Sequence, residues 1–154
     1  MFDIVLYQPE IPPNTGNIIR LCANTGSTLH LIYPLGFDLD TKNLRRAGLD
    51  YHDLTSVKTY VNWDEFYKIN SIYQIVAFTT KAENTFDKTI FNKKSFLLFG
   101  PETRGLPDEI LNLQGLEKTK IPMQKTARSI NLSNAVAIGV YEALRQHNYE
   151  GIIK

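Results

Sequence analysis

The sequence predicts an α/β fold, with a mostly parallel sheet carrying helices on both faces. Four short runs, residues 4–6, Leu29–Ile32, Ile75–Phe78 and Phe96–Phe99, are nearly continuous in apolar residues. That pattern belongs to parallel strands covered on both sides, not to half-exposed strands that alternate. Helix-type segments fall between the runs, and βαβα order gives a doubly wound sheet. The last long helix is apolar on more than one face, so it is buried on more than one face.

The elements follow in order. The first strand, 4–6, leads into a helix over 14–25 that starts after Pro12-Pro13, with Asn14 as its N-cap and Gly26 as its stop. After the strand Leu29–Ile32, a helix over 40–47 ends at Gly48, and one over 62–68 starts on a cap-type residue. Strands Ile75–Phe78 and Phe96–Phe99 precede a helix over 107–113 with proline in its first turn, where proline is tolerated. A weaker strand, 119–121, comes before the final helix, Leu132–Gln146. In that helix Leu132, Ala135, Val136, Gly139, Val140, Ala143 and Leu144 form one stripe at i, i+3, i+4, i+7 spacing. Ala137, Ile138 and Tyr141 make the opposite face apolar too, and a second subunit is the expected cover, giving a homodimer.

The 154 residues read as a single domain, 1–154. With 43% apolar and 21% charged residues the composition is that of an ordinary soluble globular protein. A formal net charge of +1 is not that of a bulk nucleic-acid binder, so any RNA contact depends on local charge or on two assembled copies. The one cysteine, Cys22, excludes an intrachain disulfide and sits within a helix as a small core residue. There is no signal-peptide pattern and no apolar run near the about 20 residues of a membrane span, so a cytoplasmic location is expected by default. His30, His52 and His147 are scattered and lack metal-ligand spacing with Cys22, and no metal is expected.

Three segments carry more Gly, Pro, Asn and charge than connections need. Residues 9–20 (PEIPPNTGNIIR) leave the first strand for a helix, and ligands of open α/β sheets bind at strand carboxyl ends. Here Asn14 also suits a helix cap and Arg20 a solvated helix position. Residues 99–107 (FGPETRGLP) set two glycines and two prolines in an unusual backbone path. Glycine admits a ligand close to the main chain, which favours a ligand loop, although Glu102 and Arg104 also suit a pair with each other or with solvent. In the third segment Ser129, Asn131, Ser133 and Asn134 crowd the start of the last helix, more polar groups than one cap needs. No glycine-rich dinucleotide fingerprint or P-loop is present, which argues against a nucleotide-dependent oxidoreductase.

Together these segments resemble the motifs of the SPOUT methyltransferases, most closely the TrmL-type tRNA 2′-O-methyltransferases of the wobble nucleotide. The three are Asn14-Thr15-Gly16-Asn17-Ile18-Ile19-Arg20, Phe99-Gly100-Pro101-Glu102-Thr103-Arg104-Gly105 and Ser129-Ile130-Asn131-Leu132-Ser133-Asn134-Ala135, in that order. The resemblance runs nearly end to end and implies a C-terminal deep trefoil knot, a homodimer and S-adenosylmethionine as methyl donor. It implies 2′-O-methylation of cytidine or uridine 34 in the anticodon stem-loop of tRNA, leucine tRNAs being the expected substrates. It further implies that Phe78, Gly100, Gly105, Ile121, Met123, Ser129 and Leu132 bind the cofactor.

The same resemblance makes Arg20 the residue associated with the reacting hydroxyl, with Asn14, Glu102 and Asn134 as orienting groups. An arginine is always protonated and a poor base, so Arg20 suits clamping a phosphate and stabilising developing negative charge. For RNA, the basic clusters Lys42, Arg45, Arg46 and Lys118, Lys120, Lys125, Arg128 serve either as grips or as solvated faces. Tyr141 suits a stacking role on a base or a core position. An rRNA ribose methyltransferase and a catalytically silent RNA-binding SPOUT module are the alternatives; Arg20 and the three complete motifs argue against the silent module.

Overall fold

A computed structural model describes residues 2–40, 42 and 57–152. Among them six strands form one parallel sheet: β1 (Asp3–Tyr7), β2 (Leu29–Ile32), β3 (Val57–Tyr60), β4 (Ile75–Phe78), β5 (Phe96–Phe99) and β6 (Glu117–Thr119), in the order β3-β2-β1-β5-β4-β6. The apolar runs at β2, β4 and β5 have the expected bounds, and β1 extends its run by one residue at each end. β3 escaped the apolar reading because its middle residues, Lys58 and Thr59, are exposed on an edge strand. The weak strand ends at Thr119 instead of Ile121, which frees Lys120 and Ile121 for the loop beyond it.

Helices cover both faces as expected: α1 (Pro12–Thr25) and α4 (Leu132–Gln146) on one, α2 (Trp63–Asn70) and the short α3 (Asp108–Leu111) on the other. Neighbouring strand residues point to opposite faces. Ile4, Leu6, Leu97 and Phe99 pack under α1 and α4, whereas Val5, Phe96 and Leu98 pack under α2 and α3. The central strands are therefore apolar on both faces.

Local signals set the helix ends. Asn62 caps α2, accepting from the Glu65 N–H at 2.9 Å, and Gly26 stops α1 at φ 66°. The N-cap of α1 is a correction. Ile11 holds that position with no side-chain bond, and Pro12-Pro13 form the first turn, so Asn14 lies inside the helix. The helix expected over 40–47 falls almost wholly outside the described residues. No described helix is long and apolar enough to cross a membrane.

On the face away from α1 a buried imidazole joins three strands. His30 of β2 approaches the Asp3 carboxylate at 3.5 Å through Nε2, and its Nδ1 lies 2.8 Å from the Tyr60 hydroxyl. Burial works to raise the Asp3 pKa, but His30 and the Thr28 N–H outweigh it and hold the carboxyl below its ordinary value. A depressed carboxylate stabilises the fold fully above about pH 4 and loses that contribution as pH falls through the lowered value. Asp3→Asn is therefore expected to cost about 1 kcal/mol at pH 7, and the deficit to shrink as pH falls below about 4. Urea unfolding of both proteins from pH 7 downward measures it; a deficit constant with pH would refute a role for the ionised carboxylate.

Candidate active site

Three loops leave the carboxyl ends of β1, β5 and β6 and meet above the point where the chain order reverses between β1 and β5, the usual ligand position in such sheets. Between them and β4 lies a cavity of about 460 Å³, within the size range of small-molecule sites.

The second loop is shaped by its glycines. A Cβ on Gly100 would lie 2.5 Å from the Gly105 carbonyl carbon and closer still to the Leu106 nitrogen, so the chain folds back on itself there without room for a side chain. Gly105 has φ +69°, the left-handed region where glycine is at ease, and its N–H donates to the Pro101 carbonyl at 3.0 Å. This hairpin-like path aims Glu102 at the first loop. Its carboxylate accepts from the N–H groups of Glu10 (2.8 Å) and Ile11 (3.1 Å) and from Asn14 Nδ2 (3.2 Å). Glu102 thus supplies, from the far end of the sequence, the acceptor that Ile11 lacks at the start of α1, where a negative charge also meets the helix dipole.

Beside it, Thr103 donates to the Glu10 carboxylate at 2.8 Å, and Arg104 donates to Gln8 at 2.6 Å and lies 3.7 Å from Glu10. Glu102 and Arg104, which also suited a pair with each other, are instead drawn to different groups of the first loop.

The third loop ends at Asn131, whose Oδ1 caps α4 by accepting from the Ser133 and Asn134 N–H groups at 3.0 and 3.4 Å. Its Nδ2 donates to Asn14 Oδ1 at 2.9 Å. A continuous chain of hydrogen bonds therefore links all three loops. The floor is aromatic: Phe78 stacks on Phe99 with centroids 4.6 Å apart. α4 crosses directly over this ring, since a Cβ on Gly139 would lie 2.7 Å from Phe78 Cζ.

All seven residues expected to hold the cofactor, Phe78, Gly100, Gly105, Ile121, Met123, Ser129 and Leu132, line this cavity, as do Asn14 and Glu102. Arg20, Asn134 and Tyr141 do not. They are exposed on α1 and α4, the two packed helices whose first turns wall the cavity. Arg45 and Arg46 lie outside the described residues. Sequence reasoning missed Thr79 and Thr80, which follow the end of β4; it assigned Lys120 to a basic cluster for RNA and not to the cavity, and it counted Asn131 only as one of four polar residues at the start of the last helix. Cys22 is buried in the core, and burial pushes its thiol up to about 12, which fits a packing role.

The cavity offers what an adenosine-type cofactor needs, apolar walls for a ring and main-chain groups beside glycine for its edge. Solved structures share this architecture. One described as "Structural insights into the 2-OH methylation of C/U34 on tRNA" superposes with a TM-score of 0.89 at 42% identity, covering 97% of this chain and 98% of that one. An AdoMet-bound rRNA methyltransferase from Sinorhizobium meliloti superposes with a TM-score of 0.83 at 25% identity over 94% of this chain and 56% of that one. A tRNA (cytidine(34)-2′-O)-methyltransferase of Saccharophagus degradans is 54% identical over 152 residues, 98% of this chain and 99% of its own. The sequence profile of the SpoU rRNA methylase family matches residues 1–141, and the chain belongs to that family.

Proposed function

We propose that this protein transfers a methyl group from S-adenosylmethionine to the ribose 2′-hydroxyl of the wobble nucleotide, cytidine or uridine 34, of tRNA. The observation that carries the reading is the cavity itself. Three loops far apart in sequence converge on it, and each residue expected to hold the cofactor lines it. The near full-length likeness to tRNA (cytidine(34)-2′-O)-methyltransferases supports the same substrate.

The cofactor supplies a methyl group already electrophilic on its sulfonium, so the protein's task is mainly alignment and charge stabilisation. Phe78, Ile121, Met123 and Leu132 give the apolar walls; Gly100 and Gly105 present main chain; Ser129 adds a polar group. Asn14 and Glu102 orient the first loop. Arg20, exposed on α1 outside the cavity, clamps a phosphate of the RNA and stabilises charge on the attacking oxygen in this reading. Asn134 and Tyr141 share a face of α4 with Ile138 at i, i+4, i+7 spacing.

The reading extends to three further features. The C-terminal segment is threaded as a trefoil knot, which agrees with α4 returning from the β6 edge to pack against α1 and β5. The protein is a cytoplasmic homodimer, a view supported by the apolar Ile138 and Tyr141, 37% and 47% exposed on the side of α4 away from its buried stripe. The RNA is the anticodon stem-loop of leucine tRNAs, gripped by the basic residues near Arg45, Arg46 and Arg128.

Labelled methyl transfer to bulk tRNA, followed by nucleoside analysis, tests the reading. A 2′-O-methylated cytidine or uridine is expected. Methylation of rRNA alone, or absence of S-adenosylmethionine binding, would overturn it.

A further inference from the structure

We propose that Asn131 is a positioning residue, whose side chain orients the Asn14 amide and through it the Glu102 carboxylate, so that the cavity wall is assembled before the cofactor arrives. The proposal rests on the functional reading above for the identity of the ligand. It begins with the direction of the hydrogen bonds. Main-chain N–H groups can only donate. At one end the N–H groups of Ser133 and Asn134 point at Asn131, so its Oδ1 must face them and its Nδ2 must face Asn14. At the other end the N–H groups of Glu10 and Ile11 point at Glu102, which must accept. Asn14, 5% exposed, stands between a donor and an acceptor and has one orientation that satisfies both: Oδ1 toward Asn131, Nδ2 toward Glu102.

The start of α4 thereby sets the polarity of a relay that ends on the start of α1. Asn131, Asn14 and Glu102 all line the cavity, so the order imposed by the relay is the order of the ligand site. A site held in its bound geometry binds more tightly because less freedom is lost on binding.

The substitution that isolates this role is Asn131→Asp. Aspartate caps a helix as well as asparagine does and suits the N-terminal dipole, so α4 keeps its cap. The ionised aspartate cannot donate, however. Asn14 would face acceptors on both sides and could turn its amide to satisfy only one. Protonation of the introduced carboxyl restores a donor. The defect is therefore full when the group is ionised and declines as pH falls toward the ordinary carboxylate range. The other ionisable groups nearby are Glu10, Glu102 and Arg104 on the facing loops, and Lys120 and Arg128 on the chain leading to α4. All are present in both proteins, so the ratio of their affinities cancels them.

The test is calorimetric titration of S-adenosylhomocysteine into the full-length wild-type and Asn131→Asp proteins between about pH 8 and about pH 3, with melting temperatures at each pH. The expected result at pH 8 is an affinity about tenfold weaker, the size of one lost part-buried hydrogen bond, with a melting temperature lower by no more than about 4 °C. The affinity ratio should narrow only below about pH 4, where the introduced carboxyl protonates, because the helix dipole and the two N–H groups favour its charged form. Wild-type affinity in the variant at pH 8 would overturn the proposal. So would a deficit that does not change with pH, since that would reduce Asn131 to a cap. A wild-type protein that fails to bind S-adenosylhomocysteine would instead refute the functional reading.

Discussion

Gly100→Ala will abolish cofactor binding, weakening S-adenosylhomocysteine affinity more than a hundredfold by calorimetry. The added methyl would meet three main-chain atoms, the Leu106 nitrogen, the Gly105 carbonyl carbon at 2.5 Å and the Gly105 Cα at 2.9 Å. No side chain can rotate to make space, so the backbone itself must shift by roughly 1 Å to reach ordinary contact distance. That shift spreads, because the loop is tied by Glu102 to the N–H groups of Glu10 and Ile11 and by Thr103 to the Glu10 carboxylate. The fold should lose about 2–4 kcal/mol, the range of large mutational effects from strain. Circular dichroism keeps binding loss distinct from unfolding.

Gly105→Ala is the internal control. Nothing lies within 4 Å of a Cβ there, and the substitution carries only the strain of φ +69°, about 1 kcal/mol. It should weaken binding by less than tenfold. Equal losses in the two variants would mean that close approach at Gly100 does not shape the site.

The contrast between these glycines also marks how far the sequence could be read. Both were visible as glycines in a loop after an apolar strand. Which one is required by contact and which by torsion depends on where the chain returns, a tertiary fact. The same division holds for the fold. β2, β4 and β5 were legible because strands buried on both faces must be apolar at each position, and α4 because its stripe repeats over four turns. β3 was not, since an edge strand with exposed Lys58 and Thr59 carries no such mark.

At the site, local rules made Asn14 a cap. The structure gives it partners 88 and 117 residues away, Glu102 and Asn131, which no local rule reports. Asn131 is the mirror case. Its local role as the cap of α4 was one of four readings of a polar cluster, while its bond to Asn14 depends on two helices starting side by side. Motif likeness nonetheless pointed to residues that line the cavity, because strand-end loops keep their function even where their hydrogen bonds cannot be foreseen.

Arg20→Ala should lower methyl transfer to tRNA by about 10³-fold, the scale of losing one preorganised charge-stabilising donor, and leave S-adenosylhomocysteine affinity within twofold of wild type. The separation follows from position. Arg20 is exposed on α1 and is absent from the cavity lining. The six-residue step from Asn14 places it roughly 9 Å further along the helix axis. A group so placed is expected to act on the RNA rather than on the cofactor.

A guanidinium is a poor base, so the role proposed for Arg20 is clamp and electrostatic partner, not proton acceptor. Arg20→Lys sharpens the argument. A lysine keeps the charge but loses the planar fork that grips a phosphate through two parallel hydrogen bonds, and partial recovery, about tenfold above Arg20→Ala, is expected. Single-turnover rates with saturating tRNA read the chemical step directly. If Arg20→Ala lost cofactor binding and transfer together, Arg20 would belong to the structure of α1 and not to the reaction. If transfer were unchanged, the clamp would have to come from another cation, and Arg128 and Lys125, exposed on the third loop beside the cavity, would be next to test.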